Sequence, residues 1–273
     1  MSEILRKLTE AETAPEYEKF MSIEEKTPAE AVLKAFENPI EASQAILPEN
    51  IMEVFDKPSD KADFGYCVIP CEGFKDGAYA TFKTFIPNAT GEMLEWWFAW
   101  RGMKSANYCI SNPAHNHSIG MAAIDKDKFN RKELLIEVKS KGIIQSEIKD
   151  IGGGLEDFLT HLQRPEDMEV DPIVLTDKGF IGGYWIRENR KNADPYKKAI
   201  DMFADIYTEK DGGLEVDTYL WCGYRGLKGK NVRRDAYGPV IDEEYAKTLG
   251  LAMAQEMAHL ASILPDLYNT FAE

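Results

Sequence analysis

Three features of this 273-residue chain point to an α+β fold in which a curved antiparallel sheet grips a long C-terminal helix. The residues up to about Phe55 are polar and helical in spacing. From Phe64 onward, segments rich in aromatic and β-branched residues follow one another between Gly and Pro turns. The chain then closes on one long amphipathic stretch, "LGLAMAQEMAHLASILPDLY". Sequential strands with short connections favour antiparallel pairing, and an amphipathic helix must bury its stripe against that sheet. Such a helix-grip arrangement leaves a cavity between sheet and helix, where ligand chemistry would sit.

The elements follow in order. In "TPAEAVLKAFENP", Thr27 is a candidate N-cap, Pro28 suits the first helical position and Pro39 stops the helix. "PIEASQAILP" reads as a second short helix. "FGYCVIP" and "GAYATFKTFIP" read as strands. "NATGEMLEWWFAWRGM" returns to helical spacing and holds three of the five tryptophans, with Trp97 and Trp100 on one face. That bulk is usually core, but it can also wall a cavity for a flat ligand.

Strands are then expected at "NYCISNPAHNHSIGMAAI", "ELLIEVKS", "IIQSEIKDI", "PIVLTD", "GFIGGYWIREN" and "LEVDTYLWCGYRGL", with "DIGGGLEDF" as a connection. A helix, "DPYKKAIDMFADIYTE", is expected between the last two. Asp242 is a plausible N-cap for the final helix, which should close around Pro265. No composition shift marks a boundary. Residues 1–60 read as a helical segment packed on a helix-grip domain of residues 61–273.

With 44% hydrophobic and 29% charged residues, the chain can bury a real core. A net charge of -15 argues against nucleic acid or an anionic membrane surface as a partner. No apolar run approaches the roughly 20 residues that span a bilayer. The charged start lacks an apolar leader, so a cytoplasmic protein is expected. "CVIPC" has one residue too many for a CxxC motif, and four scattered cysteines read as reduced thiols.

Four histidines are present, and two form "PAHNHSIG". If extended, His115 and His117 share one side of a strand and could serve one metal ion. The ordinary alternative is a polar turn with two solvated imidazoles. In "GIIQSEIKDI", Glu147 shares a face with Ile143 and Gln145, and a glutamate on the outer face is the default. Glu256 is the better candidate. It lies on the stripe that carries Leu249, Ala252, His259 and Ile263, and an unpaired buried carboxylate costs several kcal/mol. It is therefore paired, cation-bound, or at the edge of the stripe, and His259 one turn on could satisfy it. Nucleophile elbow, P-loop, HExxH and dinucleotide fingerprints are all missing.

The final helix, "EMAHLASILPDLY", closely resembles the end of the 2,4-diacetylphloroglucinol and phloretin hydrolase family, zinc-dependent enzymes that cleave a carbon–carbon bond between an acyl group and a phenolic ring. The resemblance implies a Bet v 1-like helix-grip fold, a phenolic ketone as substrate and a homodimer. It implies Glu256 as a metal ligand, with Ala252 standing where the family has a histidine four residues earlier. "YCISNPAHNH" is similar to the family's Tyr…Pro…His stretch, which makes Tyr108 a catalytic and substrate contact and His117 or His115 a ligand. Glu147 falls near the family's other glutamate ligand. "TYLWCGYRG" resembles its aromatic segment, making Tyr224 a further substrate contact beside Trp97 and Trp100. The family's proton-transferring histidine has no counterpart, since none lies between His161 and His259. Two carboxylates with one or two imidazoles suit Zn2+ and could also accept Fe, Mn or Co. In that chemistry the ring carbon is protonated, metal-activated hydroxide attacks the acyl carbonyl, and the ring departs as an enol. The rival reading is a helix-grip protein that binds an aromatic ligand without turning it over.

Overall fold

The local chemistry of the last helix explains how the fold closes. Asp242 accepts a hydrogen bond from Tyr245 N at 2.9 Å, and Glu243 and Glu244 follow in the first turn, where carboxylates suit the positive end of the dipole. From there the helix runs as one 29-residue element through Pro265 to Phe271. The expected stop at Pro265 does not occur. Leu260, Ile263, Leu264 and Leu267 are all buried on both sides of the proline, and their packing holds the helix together.

This computed structural model describes residues 14–56, 64–72, 75–152, 154–189, 198–226, 230–233 and 241–272. The helices α1 (Pro15–Met21), α2 (Glu30–Ala35) and α3 (Glu53–Asp56) precede the strands β1 (Gly65–Ile69) and β2 (Gly77–Pro87). Next come α4 (Gly91–Trp100), α5 (Ser105–Ile110), β3 (Asn116–Met121), α6 (Ala123–Asn130) and α7 (Ile136–Ser140). The remaining strands are β4 (Ile144–Asp150), β5 (Leu155–Gln163), β6 (Gly179–Asn189), β7 (Ala199–Lys210), β8 (Gly213–Cys222), β9 (Tyr224–Gly226) and β10 (Asn231–Arg233), and α8 (Glu243–Phe271) ends the chain. The first eight strands form one antiparallel sheet in the order β1-β2-β8-β7-β6-β5-β4-β3, with α8 lying along β1 and β2 and touching α4. The α+β class with a large antiparallel sheet and a C-terminal helix is as expected.

Several local expectations fail, for identifiable reasons. "NYCISNPAHNHSIGMAAI" is not one strand but α5, β3 and the start of α6. "ELLIEVKS" contains α7, "PIVLTD" is a 3-10 turn, and α2 begins after Ala29 with Thr27 outside it. "DPYKKAIDMFADIYTE" is strand β7 from Ala199 onward, and its start lies outside the described residues. Strand β7 is buried on both faces, so its apolar residues do not alternate cleanly with polar ones. Phe203 belongs to the core under α8, while Met202, Ala204 and Ile206 belong to a second core beneath residues 46–54 and 168–170.

Two polar or close contacts fix α8 on the sheet. Tyr245 donates to Asp201 Oδ2 at 2.7 Å, and Arg187 binds Asp201 at 2.9 Å, Glu156 at 3.1 Å and the Tyr245 hydroxyl. One turn further on, Gly250 permits a close approach. A Cβ there would lie 2.5 Å from the Phe36 ring and 3.1 Å from Ala80 Cβ, both buried. Alanine would improve helix propensity by about 1 kcal/mol, but overpacking costs about 1–3 kcal/mol. Gly250→Ala is therefore expected to lower the midpoint of urea unfolding, and a rise would show that Phe36 can step aside.

Candidate active site

Strand β4 turns the usual pattern inside out. Gln145, Glu147 and Lys149 are 0%, 0% and 3% exposed, while Ile144 on the opposite face is 43% exposed. Three polar side chains at alternate positions thus point inward, and each has a built partner. Arg101, in the 3-10 turn after α4, donates through Nε to Gln145 Oε1 and through Nη2 to Glu147 Oε1, both at 3.2 Å. Tyr108 donates to Glu147 Oε2 at 2.8 Å and Thr160 to Oε1 at 2.6 Å.

Glu256 of α8 meets this group. Its Oε2 accepts from Lys149 Nζ at 3.2 Å. Its Oε1 lies 3.8 Å from Arg101 Nη1, beyond hydrogen-bond reach, and accepts no hydrogen bond among the described residues. Lys149 Nζ is also 4.0 Å from Glu147 Oε2. Burial works against charge on Glu147, yet Arg101, Lys149 and the Thr160 and Tyr108 hydrogen bonds hold its carboxyl below the ordinary range. Burial and the nearby Glu147 and Glu256 charges push the Tyr108 hydroxyl well above its usual value, so it remains a donor.

The Lys149–Glu256 pair stands between two cavities. The inner one is narrow, about 40 Å³, and is lined by the aromatic side chains of Trp97, Phe98, Trp185 and Phe203. The outer one, about 300 Å³, is lined by polar groups including His115, Asn116 and Asp150, together with Ala252. The outer one reaches the lower end of the size range of small-molecule sites, the inner one does not, and Lys149, Met253 and Glu256 line each of them. The inner cavity has two further polar groups. Trp97 Nε1 is buried without an acceptor among the described residues. Asp205 is 4% exposed, and burial pushes its carboxyl up to about 6, against the hydrogen bond from Thr218 at 2.6 Å and the Arg101 charge. A buried carboxyl raised to about 6 beside an aromatic cavity is a candidate proton carrier.

Of the residues picked from the sequence, Glu147, Glu256 and Tyr108 come together, and Trp97 lines the inner cavity beside them. The others bond to none of these, although His115 lines the outer cavity. His115 is half-exposed, with Nδ1 on the Asp150 carbonyl at 3.1 Å and Nε2 3.7 Å from Glu25. His117 is also half-buried, at a break in the β3–β4 register, and Asn116 between the two histidines is the buried side chain. Tyr224 sits in the second core, with its hydroxyl 3.3 Å from Cys71 Sγ. Trp100 stacks on Trp96 at 4.7 Å and packs against Phe271. His259 is fully buried without bonding Glu256, and burial lowers its pKa.

These donors do not fit a divalent cation. Two carboxylates face two fixed cations, neither His115 nor His117 bonds either carboxylate, and Ala252 offers no donor atom. Among the described residues, no group of three or more His, Cys, Asp or Glu side chains is placed to hold a metal. Arg101, Lys149 and Asp205 were missed in the sequence. The alternating Gln145, Glu147 and Lys149 were the one available signal.

A family model described as the DAPG hydrolase PhiG domain matches residues 46–269. A 2,4-diacetylphloroglucinol hydrolase of Pseudomonas sp is 22% identical over 267 residues, covering 93% of this chain and 88% of that protein. A phloretin hydrolase of Eubacterium ramulus is 28% identical over 188 residues, covering 68% of this chain and 65% of that protein. Among solved structures, the crystal structure of Ara h 8.0201 matches 67% of this chain and 99% of its own, with a TM-score of 0.34 and 13% identity. No helix among the described residues is long and apolar enough to cross a membrane.

Proposed function

Since the chain belongs to the DAPG hydrolase family, we propose that it hydrolyses the carbon–carbon bond between an acyl group and a polyhydroxylated aromatic ring, releasing a phenol and a carboxylic acid. The observation that carries this reading is the inner cavity itself. Aromatic walls, an unpaired indole N–H among the described residues, two cations and a carboxyl raised to about 6 converge on one narrow space, whose walls must part to admit a flat ring.

Roles follow from the groups present. The ring lies among Trp97, Phe98, Trp185 and Phe203, and the Trp97 N–H donates to a ring or acyl oxygen. Asp205 gives a proton to the ring carbon that bears the acyl group, which the ring hydroxyls permit by keto tautomerism. Water adds to the acyl carbonyl and gives up a proton to Glu256 Oε1, the carboxylate oxygen with no hydrogen bond of its own. Arg101 and Lys149 face the oxygens on which negative charge develops. The bond then breaks with its electron pair passing to the ring enol, so aryl ketone and water become phenol and acid.

The test is incubation of the purified chain with phloretin and with 2,4-diacetylphloroglucinol, followed by chromatography. Equal amounts of phenol and carboxylic acid are expected, with loss of turnover in Glu256→Gln. Quenching of tryptophan fluorescence by these compounds without any acid release would instead favour a protein that only holds its ligand.

A further inference from the structure

We propose that the Lys149 ammonium permanently fills the cation position between Glu147 and Glu256, so that this chain operates without a divalent metal. The inference deepens the hydrolase reading, on which it rests only for what the positive charge is used for; the pairing itself stands on geometry.

The four charges form an alternating square. Arg101 is 3.2 Å from Glu147 and 3.8 Å from Glu256, while Lys149 is 3.2 Å from Glu256 and 4.0 Å from Glu147. Each carboxylate therefore faces both cations, and the set is neutral. The ammonium also has a cradle of its own. The Phe158 ring lies 4.6 Å below it and Met253 Sδ is 3.9 Å away. A ring face, a thioether and a carboxylate together suit a monovalent ammonium. Lys149 cannot swing out freely, because its side chain is 4% exposed and starts from the inward face of β4, two residues from Glu147.

A divalent ion placed between these carboxylates would leave two uncompensated positive charges in a buried cluster, unless Lys149 left or lost its proton. Either change breaks the Lys149–Glu256 ion pair and still leaves one positive charge uncompensated. The neighbouring positions do not repair this. Ala252 has no donor, and Asn116 offers only a neutral amide oxygen, which accepts no hydrogen bond among the described residues but cannot offset the added charge. The cation that holds the two carboxylates together is thus covalently part of the chain.

The experiment measures metal content by mass spectrometry and thermal unfolding with and without zinc chloride, for the full chain and for Lys149→Met. The wild-type chain is expected to carry less than about 0.1 metal ion per chain and to show no upward Tm shift with zinc. Lys149→Met should melt lower, and zinc at a hundredfold excess over its Kd should raise its Tm by roughly 5–10 °C. If Lys149→Met fails to fold, Lys149→Met combined with Glu256→Gln restores charge balance and is expected to melt near the wild type. Stoichiometric metal in the wild type that is lost in Glu256→Gln would overturn the proposal. So would a zinc-dependent Tm rise in the wild type, or a double variant no more stable than Lys149→Met. None of these readings needs a substrate, so failure to cleave phloretin or diacylphloroglucinol counts against the hydrolase reading alone.

Discussion

Arg101→Met is expected to cost about 3–5 kcal/mol of folding stability, the range for removing one member of a buried ion pair. Methionine keeps much of the arginine stem, so the loss isolates the guanidinium. Glu147, fully buried, would retain Thr160 and Tyr108 as donors but only Lys149, at 4.0 Å, as a counter-charge. The pH dependence gives a second readout. In the wild type the Glu147 carboxyl titrates below its ordinary 4.5, so its contribution is present above 4.5 and is lost as pH falls through the folded value. Without Arg101, burial dominates and the folded value rises above 4.5, so the penalty appears as pH rises. The stability gap between the two proteins should therefore narrow from pH 7 to pH 4. Adding Glu147→Gln to Arg101→Met should recover at least half of the loss, because the remaining Lys149–Glu256 pair is balanced. Additive losses in urea unfolding would show that the two side chains are not coupled.

The parts of this fold that were legible in the sequence are those where one physical rule dominates. The N-cap at Asp242 and the stripe through Leu249, Leu260 and Ile263 identify α8 because it meets the protein with one face. Glu256 stood out on that stripe because a carboxylate among apolar neighbours breaks a simple rule. Strand β4 obeys the opposite pattern, with Ile144 outside and Glu147 inside, so periodicity alone placed the glutamate on the wrong face. Its partners could not be seen, since Arg101 lies 46 residues away and Glu256 109 residues away in the chain. Strand β7 failed for a different reason. Two cores cover it, so Asp201 and Asp205 sit among apolar residues at a spacing that also suits a helix. The histidines were weighed by chemistry type without direction. Asn116, between them, is the residue turned inward.

Asp205→Asn is expected to exchange activity for stability. Asparagine keeps the size of the side chain and an oxygen for the Thr218 hydroxyl, now 2.6 Å from Asp205 Oδ1. It removes the charge that burial opposes. The folded carboxyl titrates near 6 against an ordinary 3.8, so in the unfolded chain it ionises first. Its cost to the fold is absent below about 3.8, grows as pH rises toward 6, and is constant above that. The amide should therefore stabilise the protein at pH 7 by up to roughly 3 kcal/mol and have little effect near pH 3.5. The same change deprives the ring carbon of its proton donor. A positioned acid contributes about 10²–10⁴-fold, so kcat/KM for an acylphenol should fall by that factor while binding, read by tryptophan quenching, stays within a few-fold. In the wild type, kcat/KM should decline above pH 6 as Asp205 loses its proton, and the variant should lack that limb. A more stable variant with undiminished kcat/KM would leave Asp205 as a strained buried charge and send the search for the proton donor elsewhere in the cavity.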